Sequence, residues 1–237
     1  MFPRHPILSA ICYVACIQEP LGTVKQTAQI RPHAFHVGRY KPGSMDPALD
    51  QAKLEEFVSL DDRFKLVPDI QTERWAKLIF NGAWSPISAL SGMDTQQILK
   101  GSVSNVMLVH KLAREVFEVA VKGGHQLPDD IEHTTFDAVA RSAAIIPSML
   151  QDARKGRPME IEALCGMCNY AYVLGPLLKN AKGDIWRYAD ALGVPVPTLK
   201  AVYSMLAQLN RTFIMRPKVS IPGDITLSRT IRPSATT

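Results

Sequence analysis

A mainly α-helical domain, preceded by a short strand-bearing segment, is the fold class that the sequence predicts. Three observations carry it. Apolar residues recur near a 3.6-residue spacing in segment after segment from about Thr72 onward, the helical signature. Runs rich in β-branched residues are confined to about the first forty positions. With 237 residues, 46% hydrophobic and 21% charged, the chain holds enough apolar surface for a real core and is not a disordered protein.

Taken in order, "ILSAICYVACI" at 7–17 reads as one buried strand, and "GTVKQTA" and "HAFHVGRY" as further strands, with Gly22 and Pro32 marking turns. The opening "MFPRHPILSAICYVACIQ" imitates a secretion signal, with Arg4 ahead of an apolar stretch. Pro3, Pro6 and the β-branched content fit a strand better, and no A-x-A site follows. No run approaches the ~18 apolar residues needed to cross a bilayer, so the expectation is a cytoplasmic protein without a membrane partner. A turn at Pro42-Gly43 leads to a helix starting near Asp46-Pro47, with Leu49, Leu54 and Phe57 as apolar positions, and "KLVPDI" at 65–70 returns to extended chain. Helices are expected over 72–85, 87–99, 103–123, 129–141, 147–178, 180–192 and 197–214. The tail beyond Phe213 lacks a core pattern and is expected to be mobile.

The net charge of +5 arises mostly in that tail, where residues 211–237 carry five Lys/Arg against one Asp. The rest is nearly neutral, and no basic stripe interleaved with aromatics marks a nucleic-acid partner. The four cysteines form two close pairs, Cys12/Cys16 and Cys165/Cys168. Paired cysteines are how zinc sites begin, but no turn lies between them to wrap a metal, and buried thiols in a reducing compartment are the expected reading.

Two stretches invite a chemical reading. In "ERWAKLIFNGAWSPISAL", residues 73–90, Lys77, Asn81 and Ser85 recur every four residues and rise along one helix face, about 6 Å per step. They form either a solvated strip or a functional row. Pro86 should bend the helix and leave the Gly82 carbonyl without its usual partner, and Gly82 suggests a close neighbour. In "PSMLQDARKGRPMEIEALCG", residues 147–166, Ser148 and Gln151 have the form of a capping box, Gly156 breaks the helix, and Pro158 suits the start of the next. Glu160 and Glu162 would then sit in a first turn, where the helix dipole favours carboxylates, unless one of them is buried facing Lys77 as a functional pair.

The order "ERWAKLIFN", a Ser-Pro pair, "PSMLQDARKGRPMEIEALCG" and "ADALGVPVPTLKAVYSML" resembles the ketopantoate reductase (2-dehydropantoate 2-reductase) family, over about residues 68–214. The resemblance implies a multi-helical C-terminal domain of the 6-phosphogluconate dehydrogenase C-terminal-like kind at 67–214. Remnant strands of a Rossmann NADP-binding domain and a connecting helix would occupy 1–66, and a tail 215–237. It implies NADPH-dependent reduction of 2-dehydropantoate to (R)-pantoate in pantothenate biosynthesis, with Lys77 as general acid and Glu160 hydrogen-bonding the substrate's hydroxyl end. Asn81 and Ser148 would hold the substrate's polar groups. Ser85 stands where the family commonly has Asn, so its reach and geometry differ.

A member of that family should also begin with a strand and a G-x-G-x-x-G turn whose amides hold the cofactor pyrophosphate. The glycines before residue 60 are Gly22, Gly38 and Gly43, none in that pattern, so negligible NADPH affinity is expected of this chain. Two other readings stay open: a non-catalytic remnant or helical interaction module, and a reductase of another 2-keto acid. Strands at 1–40 short of partners would leave open edges that favour association, a homodimer included.

Overall fold

In the computed structural model, residues 7–19, 22–40, 47–161 and 185–215 are described. The first expected strand is in fact two, β1 (Leu8–Cys12) and β2 (Val14–Gln18). They part at Tyr13, whose N–H donates to the Ala34 carbonyl (2.7 Å) and whose carbonyl accepts from the Ile30 N–H (3.0 Å). Buried backbone groups must find partners, and at Tyr13 both lie in the link between the next two strands, so the chain changes sheets there. β2 turns at Gly22 (φ 81°) into β3 (Val24–Gln29) and pairs with it antiparallel, with a register shift at Ala15/Cys16. β1 pairs antiparallel with β4 (Phe35–Arg39), which pairs in parallel with β5 (Phe64–Leu66), making a sheet of order β1-β4-β5. α1 (Pro47–Val58) packs on β4 and β5 and buries Leu54.

The centre of the helical part is α2 (Ile70–Ser91). Asp69 caps it, accepting from the N–H groups of Gln71 (2.8 Å) and Thr72 (3.3 Å), and Gly92, at φ 74°, closes it. The helix runs through Pro86, correcting the expected division between residues 85 and 87. Ala83, Trp84, Ile87 and Ser88 are 0–4% exposed, so burial on both sides of the proline offsets the ~3 kcal/mol that proline costs inside a helix.

α3 (Thr95–Lys100) is separate and starts in its own capping box, with Asp94 and Gln97 each accepting from the other's N–H at 2.9 Å. α4 (Val103–Lys122) lies along α2 at the close approach that Gly82 suggested. A Cβ built on Gly82 would meet Val116 Cγ2 at 3.1 Å. α5 (Ile131–Arg141), α6 (Ser148–Arg154), α7 (Ile185–Leu192) and α8 (Pro197–Ile214) complete a single core that includes Trp75, Trp84, Val116, Met149, Ile185 and Leu206. None of the helices among the described residues is long and apolar enough to cross a membrane.

Two contacts between distant parts of the chain fix this arrangement. α8 starts with Pro197 and has no side-chain cap of its own. Instead Glu115 of α4, 7% exposed, accepts the Thr198 N–H (2.9 Å) and the Leu199 N–H (2.7 Å) on its two carboxylate oxygens. The β2–β3 hairpin leans on the helices through Ala15, Ala28 and Ile30, while Gln151 Nε2 donates to the Cys16 carbonyl at 3.3 Å.

The larger sheet is just as close at Gly38. A Cβ there would meet Ile70 Cβ at 3.0 Å and the Val67 carbonyl oxygen at 3.1 Å. Cys12 is half-buried and Cys16 is exposed on the outer side of the hairpin, which corrects the expectation of buried thiols for this pair. Cys165 and Cys168 lie outside the described residues, as do Glu162 and the tail beyond Met215.

Candidate active site

α2 carries the polar row inward. Lys77 and Asn81 are half-buried and Ser85 is 2% exposed, so the row is not a solvated strip. Burial lowers the Lys77 amine below its usual range, because an ammonium loses hydration there; the electrostatic effect of Cys12 acts in the opposite sense. A half-buried amine that releases its proton more readily than a surface lysine is suited to proton transfer.

Lys77 also lines a cavity of about 10 Å³, together with Tyr13, Arg31, Phe80 and Thr135, where the hairpin, α2 and α5 meet. That volume suits a single water-sized oxygen.

One turn earlier on the same helix, Glu73 ties the strands to α2. His36 Nδ1 lies 2.7 Å from Glu73 Oε2, and the Tyr13 hydroxyl donates to the same oxygen (3.1 Å). Arg31 stands 5.8 Å from the centre of the Tyr13 ring, within cation–π range. Burial raises the Glu73 carboxyl pKa, but hydrogen bonds from His36 and Tyr13 and the charges of His36 and Arg31 outweigh it, leaving the pKa below its ordinary 4.5.

A depressed carboxyl contributes stability that is complete above its unfolded pKa and is lost as pH falls through the folded value. Glu73→Gln is therefore expected to cost about 1–2 kcal/mol near neutrality, with the difference from the native chain closing as pH drops below 4.5. Urea denaturation from about pH 7 to pH 3 measures it, and a pH-independent difference would exclude the carboxylate as its source.

Periodicity placed Lys77, Asn81 and Ser85 on one face but gave no sign of Tyr13, His36 or Arg31. Their only local signal was Glu73, four residues before Lys77. On the second stretch, Ser148 is exposed and is the first residue of α6, with Pro147 at the cap position and no side-chain cap bond. The expected capping box is absent because Gln151 turns elsewhere, donating to the carbonyls of Ile146 (3.0 Å) and Cys16 (3.3 Å).

Gly156, at φ 64°, ends the helical run as expected. Helix resumes at Ile161 and not at Pro158, so Glu160 precedes the first turn, exposed between buried Met159 and Ile161. α6 packs against α2, yet no hydrogen bond or ion pair among the described residues joins Lys77 to Glu160.

Residues 69–169 match the family model described as ketopantoate reductase PanE/ApbA, C terminal. An uncharacterized protein of Saccharomyces cerevisiae is 26% identical over 215 residues, covering 86% of this chain and 53% of its own length. A 2-dehydropantoate 2-reductase of Nostoc sp. is 24% identical over 217 residues, 90% of this chain and 62% of its own. Among solved structures, the 2-dehydropantoate 2-reductase from Methylococcus capsulatus superposes with a TM-score of 0.65 at 26% identity, over 87% of this chain and 64% of that one.

Fold and matched region together define a helical C-terminal domain of the reductase class. Over residues 69–169 the chain is similar to the C-terminal domain of the ketopantoate reductase family, and its fold is that of the solved 2-dehydropantoate 2-reductase. It spans between 53% and 64% of the length of these three relatives.

The dinucleotide that a reductase requires needs a glycine-rich turn opening a helix. Among the described residues Gly22 sits in the hairpin turn and Gly38 within β4 against Ile70, so neither forms such a cradle. Among the described residues, none fits the pyrophosphate of a nicotinamide dinucleotide.

Proposed function

We propose that this chain supplies the substrate-binding and proton-donating part of a 2-oxo acid reductase, with 2-dehydropantoate as substrate and (R)-pantoate as product. The observation that carries the reading is the half-buried Lys77, made more acidic by burial and set on a helix whose polar row continues through Asn81 and Ser85. As the keto carbon is reduced, its oxygen gains negative charge. Transfer of a proton from Lys77 Nζ to that oxygen completes the hydroxyl and leaves a neutral amine, which regains its proton from solvent.

Asn81, Ser85 and Ser148 are assigned to the substrate's polar groups and Glu160 to its hydroxyl end. Residues 67–214 are taken as the substrate domain and 1–66 as a remnant of the nucleotide-binding domain with its connecting helix. The family implies NADPH as hydride donor.

Calorimetric titration of the purified chain with (R)-pantoate and a panel of other 2-hydroxy acids tests the reading. Binding that weakens on Lys77→Met supports it, and the best-bound acid of the panel identifies the substrate. Absence of binding by every acid would favour the second reading, a non-catalytic helical module.

A further inference from the structure

We infer that Asn210 is the positioning residue of Glu160, an inference that rests on the assignment of Glu160 to the substrate's hydroxyl end. Asn210 lies on α8, where an asparagine is a poor helix former and needs another reason to be present. Its side-chain amide pairs with both backbone groups of Met159. Oδ1 accepts the Met159 N–H at 2.7 Å and Nδ2 donates to the Met159 carbonyl at 3.2 Å. A two-point pairing of this kind fixes a peptide's orientation as well as its place, much as a neighbouring strand would.

The consequence falls on the next residue. Met159 is 5% exposed and Ile161 3%, and Glu160 between them is exposed. The stretch would be free to rotate if only the two apolar side chains held it, because burial has no direction. Asn210 supplies the direction.

The upstream side is fastened as well: Arg157 Nη2 donates to Asp152 Oδ1 (2.7 Å) and the Arg157 N–H to the Asp152 carbonyl (2.9 Å). Glu115 fastens α8 itself to α4 at its other end, and α4 lies along the helix that bears Lys77. The carboxylate of Glu160 thus projects from a backbone referenced, through two polar contacts, to the Lys77 helix. Both ends of the Asn210 amide are engaged with the Met159 backbone, so Asn210 acts on binding through Glu160.

The test uses two acids that differ by one group: (R)-pantoate, and 2-hydroxy-3,3-dimethylbutanoate, which lacks the terminal hydroxyl. Titration of the native chain measures its preference for the hydroxylated acid, and Glu160→Gln shows whether Glu160 produces that preference. Asn210→Ala is expected to reduce affinity for (R)-pantoate roughly tenfold while leaving the acid without the hydroxyl unaffected, the size of one hydrogen bond to a charged group. Asn210→Asp, which keeps the acceptor for the Met159 N–H and loses the donor, is expected to fall between, and is the variant read if circular dichroism shows that Asn210→Ala does not fold.

Equal loss for both acids in the variant that is read, or no loss for either, overturns the positioning role while the assignment of Glu160 stands. A native chain that shows no preference, or a preference that survives Glu160→Gln, overturns that assignment and the inference with it.

Discussion

Lys77→Met is expected to leave the chain folded, with an unfolding midpoint at neutral pH equal to or above that of the native chain, and to weaken its binding of 2-hydroxy acids. The stability side follows from burial: a half-buried ammonium gives up hydration, and its lowered pKa is the measure of that loss. The sign is fixed by linkage. A lysine whose folded pKa is depressed binds its proton less tightly folded than unfolded, so native stability rises with pH through the interval between the folded value and the ordinary 10.5. Methionine, of similar length and uncharged, has no such dependence, and the advantage of the variant should shrink as that interval is entered.

On the chemical side, loss of a charged hydrogen-bond donor is expected to weaken binding of a 2-hydroxy acid by about 10- to 100-fold. In an assay where reduction is observed, turnover is expected to fall by about 10²–10⁴, the usual contribution of a general acid. Chemical denaturation at several pH values, paired with calorimetric titration, measures both. A variant clearly less stable than the native chain at neutral pH would mean that Lys77 is a structural residue, and unchanged acid affinity would remove it from the site. Residues that serve chemistry at some expense of stability are the expected signature of a working site.

Glu115→Ala is expected to destabilise the chain by about 2–4 kcal/mol, with Glu115→Gln losing roughly half as much because one amide oxygen remains to accept. Pro197 has no N–H, so Thr198 and Leu199 present the first free donors of α8, and both end on Glu115. Leu199 is 0% exposed, so its donor has no recourse to water once the carboxylate is gone. The carboxylate also sits at the positive end of the helix dipole. Urea unfolding followed by circular dichroism gives the number, and a loss below about 1 kcal/mol would show that other groups satisfy the start of α8.

The parts of this structure that were legible in the sequence are those governed by near neighbours. Apolar periodicity located α2, α4, α5 and α8, Gly156 marked a break, and the glycine at 82 pointed to the close approach that Val116 makes. Local rules failed where distant residues decided. Pro86 does not end α2 because the core holds the helix on both sides of it. Ser148 and Gln151 have the spacing of a capping box, but Gln151 reaches a carbonyl 135 residues away. A real box at Asp94 and Gln97 went unseen inside what reads as one longer helix.

The same holds at the candidate site. Lys77, Asn81 and Ser85 share a face by arithmetic, whereas the contact of Glu73 with His36 and Tyr13 spans 37 and 60 residues and leaves no pattern in the sequence. Ser148 and Glu160 were recognisable only through the family resemblance.

Gly38 sets a limit on the site from the far side of the sheet. Nothing but hydrogen occupies the side of its Cα that faces Ile70 and the Val67 carbonyl, and a backbone oxygen does not yield as a side chain can. The missing methyl group therefore sets the clearance between β4 and the start of α2. β4 also carries His36, which fastens Glu73 one turn ahead of Lys77, so that clearance fixes how deeply the strands can seat against the helix. An alanine at this position would act as a shim, lifting the strand layer and with it the wall of the cavity beside Lys77.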